Sequence, residues 1–462
     1  MLEKLLKFLK NKKILILGVG TEGKSTYQFL RRNFPDQKLF MADQNTDLLE
    51  KYPEFLEDIN LEISMGKEYL NGIQEYDLII KTPGISFKNV NTETFQDKIT
   101  NQVQLLLEFV PVFTIGVTGT KGKSTTSSIL YEVLKEQEKD VFLLGNIGKP
   151  IFDELEHLKQ DSIAILELSS HSLQYVKNSP NIAILLNLYE EHLDFYGSFE
   201  QYAQAKLNIT NYQKETEYLI YNADNEFLKK YAFKATDYAV SLENKPNTKN
   251  SVWIEQNDIY CNNVCVMDLR TKLKLKGIHH MHNIMFVLAV CNIMNLDFSQ
   301  SIKTIQNFEP LEHRMEFVAQ IDSIEYYNDS IATIPQSTIN TIKALKKVNT
   351  LIVGGKDRGV SQKELVDFLK DSEVEHIICL PKTGKAIYDE LKNIANKKLW
   401  MTQNLQEAVK IAKEVTKNNT ICVLSPAASS YGYFKDFRER GSLYKKYIFQ
   451  DNIKIVSNNK LT

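Results

Sequence analysis

Lys123, Glu167, His192 and Lys206 are a cation, a carboxylate, an imidazole and a second amine, set at or just beyond the ends of apolar runs in a 462-residue chain. The first lies in "GVTGTKGKSTT", where Gly119 and Gly122 let backbone N–H groups approach an anion and "STTSSILYEVLKEQ" opens a helix behind them. Lys123 places a cation at the β- and γ-phosphates of a nucleotide, and Ser124 offers a hydroxyl to Mg²⁺. Phosphoryl transfer needs this combination, because it depends on positioning and charge neutralisation more than on covalent help. Gly119, Thr120, Lys121, Gly122, Lys123, Ser124 and Thr125 are the candidate ATP loop, and Ser169 joins the polar groups that follow it.

A near-duplicate, "GVGTEGKST", occupies Gly18–Thr26 and satisfies both G-x-G-x-x-G and G-x-x-x-x-G-K-[ST]. Asp43 ends the next strand, where a dinucleotide fold places its ribose-binding acid. This loop reads either as a second diphosphate cradle or as a tight strand-to-helix turn. No polar set comparable to Glu167, His192 and Lys206 follows it, so the ATP site is assigned to the second loop although the regular expression favours the first. A dehydrogenase reading finds no catalytic acid behind the first loop.

The elements that must hold these loops repeat one rhythm: an apolar strand, a glycine turn, a helical pattern. "KKILILGVG", "QKLFMAD" and "YDLIIKTPGI" form a first series; "VFTIGVTG", "VFLLGN", "SIAILELSS" and "NIAILLNL" a second; "NTLIVGGKDRG", "HIICLP" and "TICVLSPAASS" a third. Continuous apolar strands between helices predict an α/β fold with parallel sheets covered on both faces. Three domains are expected: residues 1–108, 109–310 and 311–462, with boundaries near Phe109 and Pro310. The stretch around Leu242–Thr271 reads as a small antiparallel insertion in the second. Charged residues are 25% and the net charge is −2, which gives a nucleic-acid partner little support. The five cysteines show no metal or disulfide spacing, and no apolar run reaches the roughly 20 residues of a membrane span. A cytoplasmic protein with no membrane association is expected, and no obligate protein partner is evident.

The motifs "GVTGTKGKSTT", "GNIG", "ELSS", "EEHLDFYG", "YAQAK", "LEHRME", "NDSIAT", "GGKDRG" and "SPAASSYGYFKDFRERG" together resemble the Mur ligases of peptidoglycan synthesis, most closely their MurD-like, glutamate-adding branch. The resemblance runs through all three domains in order. It implies a Rossmann-like first domain that holds the uridine diphosphate of UDP-N-acetylmuramoyl-L-alanine, a central ATPase domain and a Rossmann-like third domain for glutamate. Gly18, Gly20, Thr21 and Gly23 would receive the diphosphate, Asp43 would face the uridine, and Thr82 and Gly84 would line the same pocket. Asn146 and Ser169 would contact the muramoyl part. The implied reaction forms an acyl phosphate from ATP and the substrate carboxylate, then an amide.

The resemblance assigns Ser124 and Glu167 to one magnesium ion and His192 to a second, and makes Lys206 a carbamate formed with CO₂; without it, Lys206 reads as a solvated helix lysine. His280 and Asn283 fall at adenine-contacting slots, His280 departing from the usual asparagine. Arg314 and Asp329 resemble a pair that reaches ATP from the third domain, and His313 beside them reads as structural. Thr333, Arg358, Ser430, Tyr431 and Phe437 match the glutamate pocket, but Ile331 stands where the family run has lysine. D-glutamate is the expected acceptor. L-glutamate, a folylpolyglutamate-synthase-like activity and an inactive nucleotide-binding module are the alternatives.

Overall fold

The computed structural model describes residues 1–46, 52–87, 90–275, 277–309, 312–358 and 360–450; the expected boundary at Pro310 lies outside them. The chain clusters into two compact units, one of Met1–Lys272 with His282–Gln306, the other of Leu273–Met281 with Asn307 onward. Among the described residues the strands form three sheets, two in the first unit and one in the second.

The first sheet is parallel throughout, in the order Leu61–Met65, Leu39–Asp43, Ile14–Leu17, Leu78–Lys81, Ile99–Thr100. Ile14–Leu17 is buried at every position because its alternate side chains enter different cores: Ile14 and Ile16 join Phe29 and Leu30, while Leu15 and Leu17 join Phe40 and Ile79. Strand order reverses between Ile14–Leu17 and Leu78–Lys81, and the first glycine loop and the Thr82–Gly84 turn leave the carboxyl ends of these two strands. Leu61–Met65, not anticipated from sequence, is an edge strand whose burial alternates.

The second sheet runs Val141–Gly145, Ile163–Glu167, Phe113–Thr118, Ile182–Leu185, Tyr218–Asn222, Thr236–Ser241, Ser251–Glu255, Asp258–Cys261, Val264–Asp268. The expected antiparallel insertion is present but is not a separate body. Ser251–Glu255 pairs parallel with Thr236–Ser241, then antiparallel with Asp258–Cys261, so the segment extends the sheet. Order reverses at Phe113–Thr118, flanked by Ile163–Glu167 and Ile182–Leu185, and the second glycine loop leaves its carboxyl end.

The third sheet, in the second unit, runs Glu316–Ile321, Ile324–Asn328, Ile421–Leu424, Val348–Gly355, His376–Lys382, Lys398–Met401. The three expected strands form its centre. The antiparallel pair Glu316–Ile321 and Ile324–Asn328 on one side and Lys398–Met401 on the other were not anticipated. No helix of the described residues is long and apolar enough to cross a membrane.

Candidate functional site

In the first unit the chain leaves Thr118 and turns at Gly119 (φ +153°) and Gly122 (φ +91°) before the helix Lys123–Glu136 begins. Both glycines are required by space as well as conformation: a Cβ on Gly119 would lie 2.8 Å from Leu186 Cβ, and one on Gly122 2.5 Å from Asn283 Oδ1. Asn187, unremarked in the sequence, fixes the loop. Its carbonyl accepts from Thr120 N (2.8 Å), its Oδ1 from Lys121 N (2.8 Å), and its Nδ2 donates to Lys121 O (2.9 Å). Lys123 Nζ folds onto the loop carbonyls of Gly119 (3.0 Å) and Thr120 (3.1 Å). Among the described residues the buried Thr125 Oγ1 has no hydrogen-bond partner, a hydroxyl left over in the first turn of that helix. Gly122→Ala is expected to weaken binding of an ATP analogue at least tenfold and to destabilise the protein by roughly 1–3 kcal/mol through backbone strain. Calorimetric titration and thermal unfolding measure the two effects.

Lys206, on the helix Phe199–Leu207, is buried rather than solvated, and its Nζ donates to Gly119 O (2.9 Å) and Thr118 Oγ1 (3.4 Å). Burial first, then the nearby Lys123 cation, push its pKa well below the ordinary lysine value; Glu191 and Glu167 pull the other way. Glu167 is buried at the end of Ile163–Glu167, and its carbonyl accepts from Asn146 N (3.0 Å). Glu191 pairs with Lys121 (3.0 Å) and stands 3.9 Å from His192 Nε2. Burial would raise Glu191, but Lys121, His192 and Lys123 overcome it and hold the carboxyl at about 2. The His171 ring lies 4.8 Å from that of His192, and burial, His192, Lys81 and Lys206 depress it to about 3, so it is a neutral imidazole. Lys121, Lys123, Glu167, His192 and Lys206 are therefore brought into one charged neighbourhood, together with Glu191 and His171, which sequence reasoning passed over. Ser169 caps the helix Ser170–Leu173, its Oγ accepting from Ser172 N (3.0 Å).

The first loop opens on a separate cleft of about 650 Å³ lined by Gly20, Thr21, Glu22, Asp43, Thr82 and Gly84 among others. Gly18 (φ +98°) and Gly23 meet at the turn, where a Cβ on Gly23 would lie 1.9 Å from Gly18 O; Gly20 and Gly84 face open space. Asp43 binds the loop itself, accepting from Val19 N (2.7 Å) and Asn45 N (2.8 Å). Burial lifts Glu22 to about 7 against the pull of Lys81, and burial lowers Lys81 to about 8 against the pull of Glu22.

In the second unit, His280 and Arg314 are electrostatic neighbours, and burial, then His279 and Arg314, keep His280 neutral. Asn283 belongs to the first unit, against Gly122. Asp329 is committed within the second unit: Oδ2 accepts from Thr341 (2.6 Å) and Ser425 (2.8 Å), Oδ1 from Met315 N (3.2 Å). His313 Nδ1 meets Asn328 Nδ2 at 2.9 Å inside the protein. The Arg358 guanidinium lies 5.4 Å from the Tyr431 ring centroid, Ser430 is buried, and Phe437 begins the helix Phe437–Phe449 while its carbonyl accepts from Ser330 Oγ (2.8 Å). Thr333 and Ile331 are part-buried on the turn before the helix Pro335–Leu345, and Ile331 N donates to His313 O (3.1 Å). Arg440 is not among the residues singled out from the sequence. Its guanidinium is fully buried and donates to Ser330 Oγ (3.0 Å), Ser330 O (2.7 Å) and Ala428 O (3.1 Å), tying "NDSIAT" to "SPAASS". The "FRERG" that opens its helix was the available signal.

Residues 117–291 match the Mur ligase middle domain, and residues 313–428 match the Mur ligase glutamate ligase domain. The chain is 30% identical over 455 residues to UDP-N-acetylmuramoylalanine--D-glutamate ligase of Clostridium acetobutylicum, covering 96% of this chain and 97% of the relative. Among solved structures it is similar to UDP-N-acetylmuramate-alanine ligase MurC of Thermotoga maritima (TM-score 0.61, 18% identity, 96% of this chain and 100% of that one). A second is the MurF ligase of Thermotoga maritima in complex with ADP (TM-score 0.58, 17% identity, 90% and 96%).

Proposed function

The chain belongs to the Mur ligase family, and from that premise we propose that it joins D-glutamate to UDP-N-acetylmuramoyl-L-alanine, converting ATP to ADP and phosphate. The observation that carries this reading is the pairing of two glycine loops, each at the carboxyl end of a sheet's reversal point, with Lys121, Lys123, Glu167, Glu191, His192 and Lys206 gathered at the second. One loop suits a carrier diphosphate and the other a nucleotide to be cleaved. The relative matched along nearly the whole chain is named for D-glutamate, which sets the L-glutamate and folate alternatives aside.

In this mechanism the alanyl carboxylate attacks the γ-phosphorus of ATP, the bond to ADP breaks, and an acyl phosphate forms. The glutamate amine then attacks the acyl carbon, loses a proton, and phosphate leaves. Lys123 would turn from the loop carbonyls to the phosphates and Asn283 would serve the adenine; the family resemblance also assigns His280, Arg314 and Asp329 to the nucleotide, although the Asp329 carboxylate is already held by Thr341, Ser425 and Met315 N. Gly18, Gly20, Thr21 and Gly23 take the uridine diphosphate; Asn146 and Ser169 take the muramoyl part. Thr333, Arg358, Ser430, Tyr431 and Phe437 hold glutamate, with Arg358 able to grip a carboxylate bidentately.

Among the described residues no three His, Cys, Asp or Glu side chains cluster as metal ligands. Mg²⁺ in ATP sites is taken mainly through substrate phosphates with few protein groups. Ser124, Glu167, His192 and a Lys206 carbamate would hold two such ions, which would supply charge neutralisation between the γ-phosphate and the carboxylate. The neutral amine imposed on Lys206 is the form that reacts with CO₂, and the carbamate restores a negative charge among Lys121 and Lys123. The domains assigned are residues 1–108, 109–310 and 311–462, and the setting is cytoplasmic.

Phosphate release from ATP, measured with UDP-N-acetylmuramoyl-L-alanine and each glutamate enantiomer, tests the reading. Release dependent on D-glutamate is expected; release with neither enantiomer would refute it.

A further inference from the structure

Lys81 ends the strand Leu78–Lys81, opposite Leu17 at the reversal point of the first sheet, and its side chain is 3% exposed. A buried ammonium with three donors is costly unless anions or acceptors surround it. Among the described residues its one hydrogen-bond acceptor is the neighbouring Thr82 carbonyl, at 3.2 Å. Its other near contacts are aromatic: the Phe87 ring centroid lies 5.9 Å away and that of Tyr175 5.7 Å. Phe87 follows the turn that walls the first cleft, and Tyr175 follows the Ser170–Leu173 helix beside the reaction centre. Thr82, whose carbonyl holds the ammonium, itself lines the cleft, so Lys81 stands directly behind the cleft wall.

Two titratable groups, a carboxyl and a neutral imidazole, mark the ends of this position. Glu22, in the cleft wall, is the carboxylate that acts on Lys81, and Lys81 in turn acts on His171 beside His192. The lysine therefore stands between the cleft and the reaction centre, within electrostatic reach of both. The cleft loop itself supplies backbone N–H groups but spends Val19 N on Asp43, and its Lys24 is turned to Glu54 at 2.7 Å. The lysine inside the Walker-like pattern thus faces away on an ion pair, and a cation for the cleft has to come from elsewhere.

We propose that Lys81 is a diphosphate-binding residue of the nucleotide-linked substrate, supplying from the neighbouring strand the cation that the first glycine loop lacks. The proposal rests on the family reading above. Glu22 is its resident counter-charge, and the substrate diphosphate adds a second anion where the chain of the substrate leaves the cleft for the reaction centre.

The test compares UDP with uridine by calorimetric titration of the full chain, so that the quantity read is the gain in affinity contributed by the diphosphate. Lys81→Met is expected to shrink that gain at least tenfold while binding of an ATP analogue at the second loop changes less than threefold. Lys81→Gln, which keeps polarity without charge, reads the same ratio should the methionine variant fold poorly. An unchanged ratio in both variants would overturn the proposal while leaving the family reading intact. Wild-type protein that binds UDP no better than uridine would overturn that reading and the proposal together.

Discussion

Lys206→Met is expected to lower kcat/KM on the order of 10²–10³-fold or more, the scale on which loss of one charge-stabilising group acts in a preorganised site, without lowering the unfolding temperature. The two outcomes separate because the lysine is poorly placed for stability. Its amine is buried beside Lys123 and Lys121, and burial and Lys123 together disfavour its charged form. Methionine fills a similar volume with no charge to desolvate, which is the kind of replacement that is neutral or stabilising. A lysine kept at such a position is kept for chemistry. On the proposed carbamate reading, the free amine would attack CO₂; the N–C bond would form, a proton would leave and an anion would result where two cations already stand. Lys206→Ala leaves room for that anion to be supplied from solution, so short carboxylic acids are expected to restore activity to the alanine variant and not to the methionine one. Full activity in either variant without added acid would remove the carbamate from the mechanism.

What the sequence made legible was local. Both glycine loops declare themselves within nine or ten residues, and their flanking strands are recognisable because side chains that enter two cores leave an unbroken apolar run. Leu61–Met65 and Glu316–Ile321 escaped notice because they lie at sheet edges, where one side of the strand stays wet and the run is broken. Leu242–Thr271 was read as an insertion because its polarity gave no sign of the parallel pairing that joins it to the large sheet. The site divides the same way. Lys123, Glu167, His192 and Lys206 were visible from motif context, whereas Glu191 takes its meaning from Lys121, 70 residues earlier, and Arg440 from Ser330, 110 residues earlier. No window along the chain contains such pairs. Lys24 shows the converse, since it completes a phosphate-binding pattern in sequence yet is turned onto Glu54, in keeping with the ATP site being assigned to the other loop.

Glu191→Gln is expected to cost about 3 kcal/mol of stability at pH 7 and to flatten the acid limb of the stability curve. The carboxyl sits at about 2 in the folded protein against an ordinary 4.5, because Lys121, His192 and Lys123 outweigh its burial. Holding it there corresponds to about 3 kcal/mol at roughly 1.4 kcal/mol for each tenfold change in proton affinity. Above pH 4.5 the group is ionised in both folded and unfolded chains, and the whole contribution is present. As pH falls from 4.5 towards 2 the unfolded chain takes up its proton first, so stability drains away across that window and the contribution is gone below it. Glutamine keeps the shape and has no proton to take up, so urea unfolding of parent and variant at pH 7, 4, 3 and 2.5 should show two curves that converge as the acid limb is descended. Other carboxyls titrate in both proteins and cancel in the difference. Lys121→Met should cost about 1–3 kcal/mol, because it leaves the part-buried Glu191 carboxylate without the partner that stands 3.0 Å away. The double variant should then lose less than the sum of the two single changes, since neither charge remains to be stranded. Parallel curves at all four pH values, or strict additivity in the double variant, would show that Glu191 gains nothing from its cationic neighbours and that the charge pattern around the ATP loop is not what holds this site together.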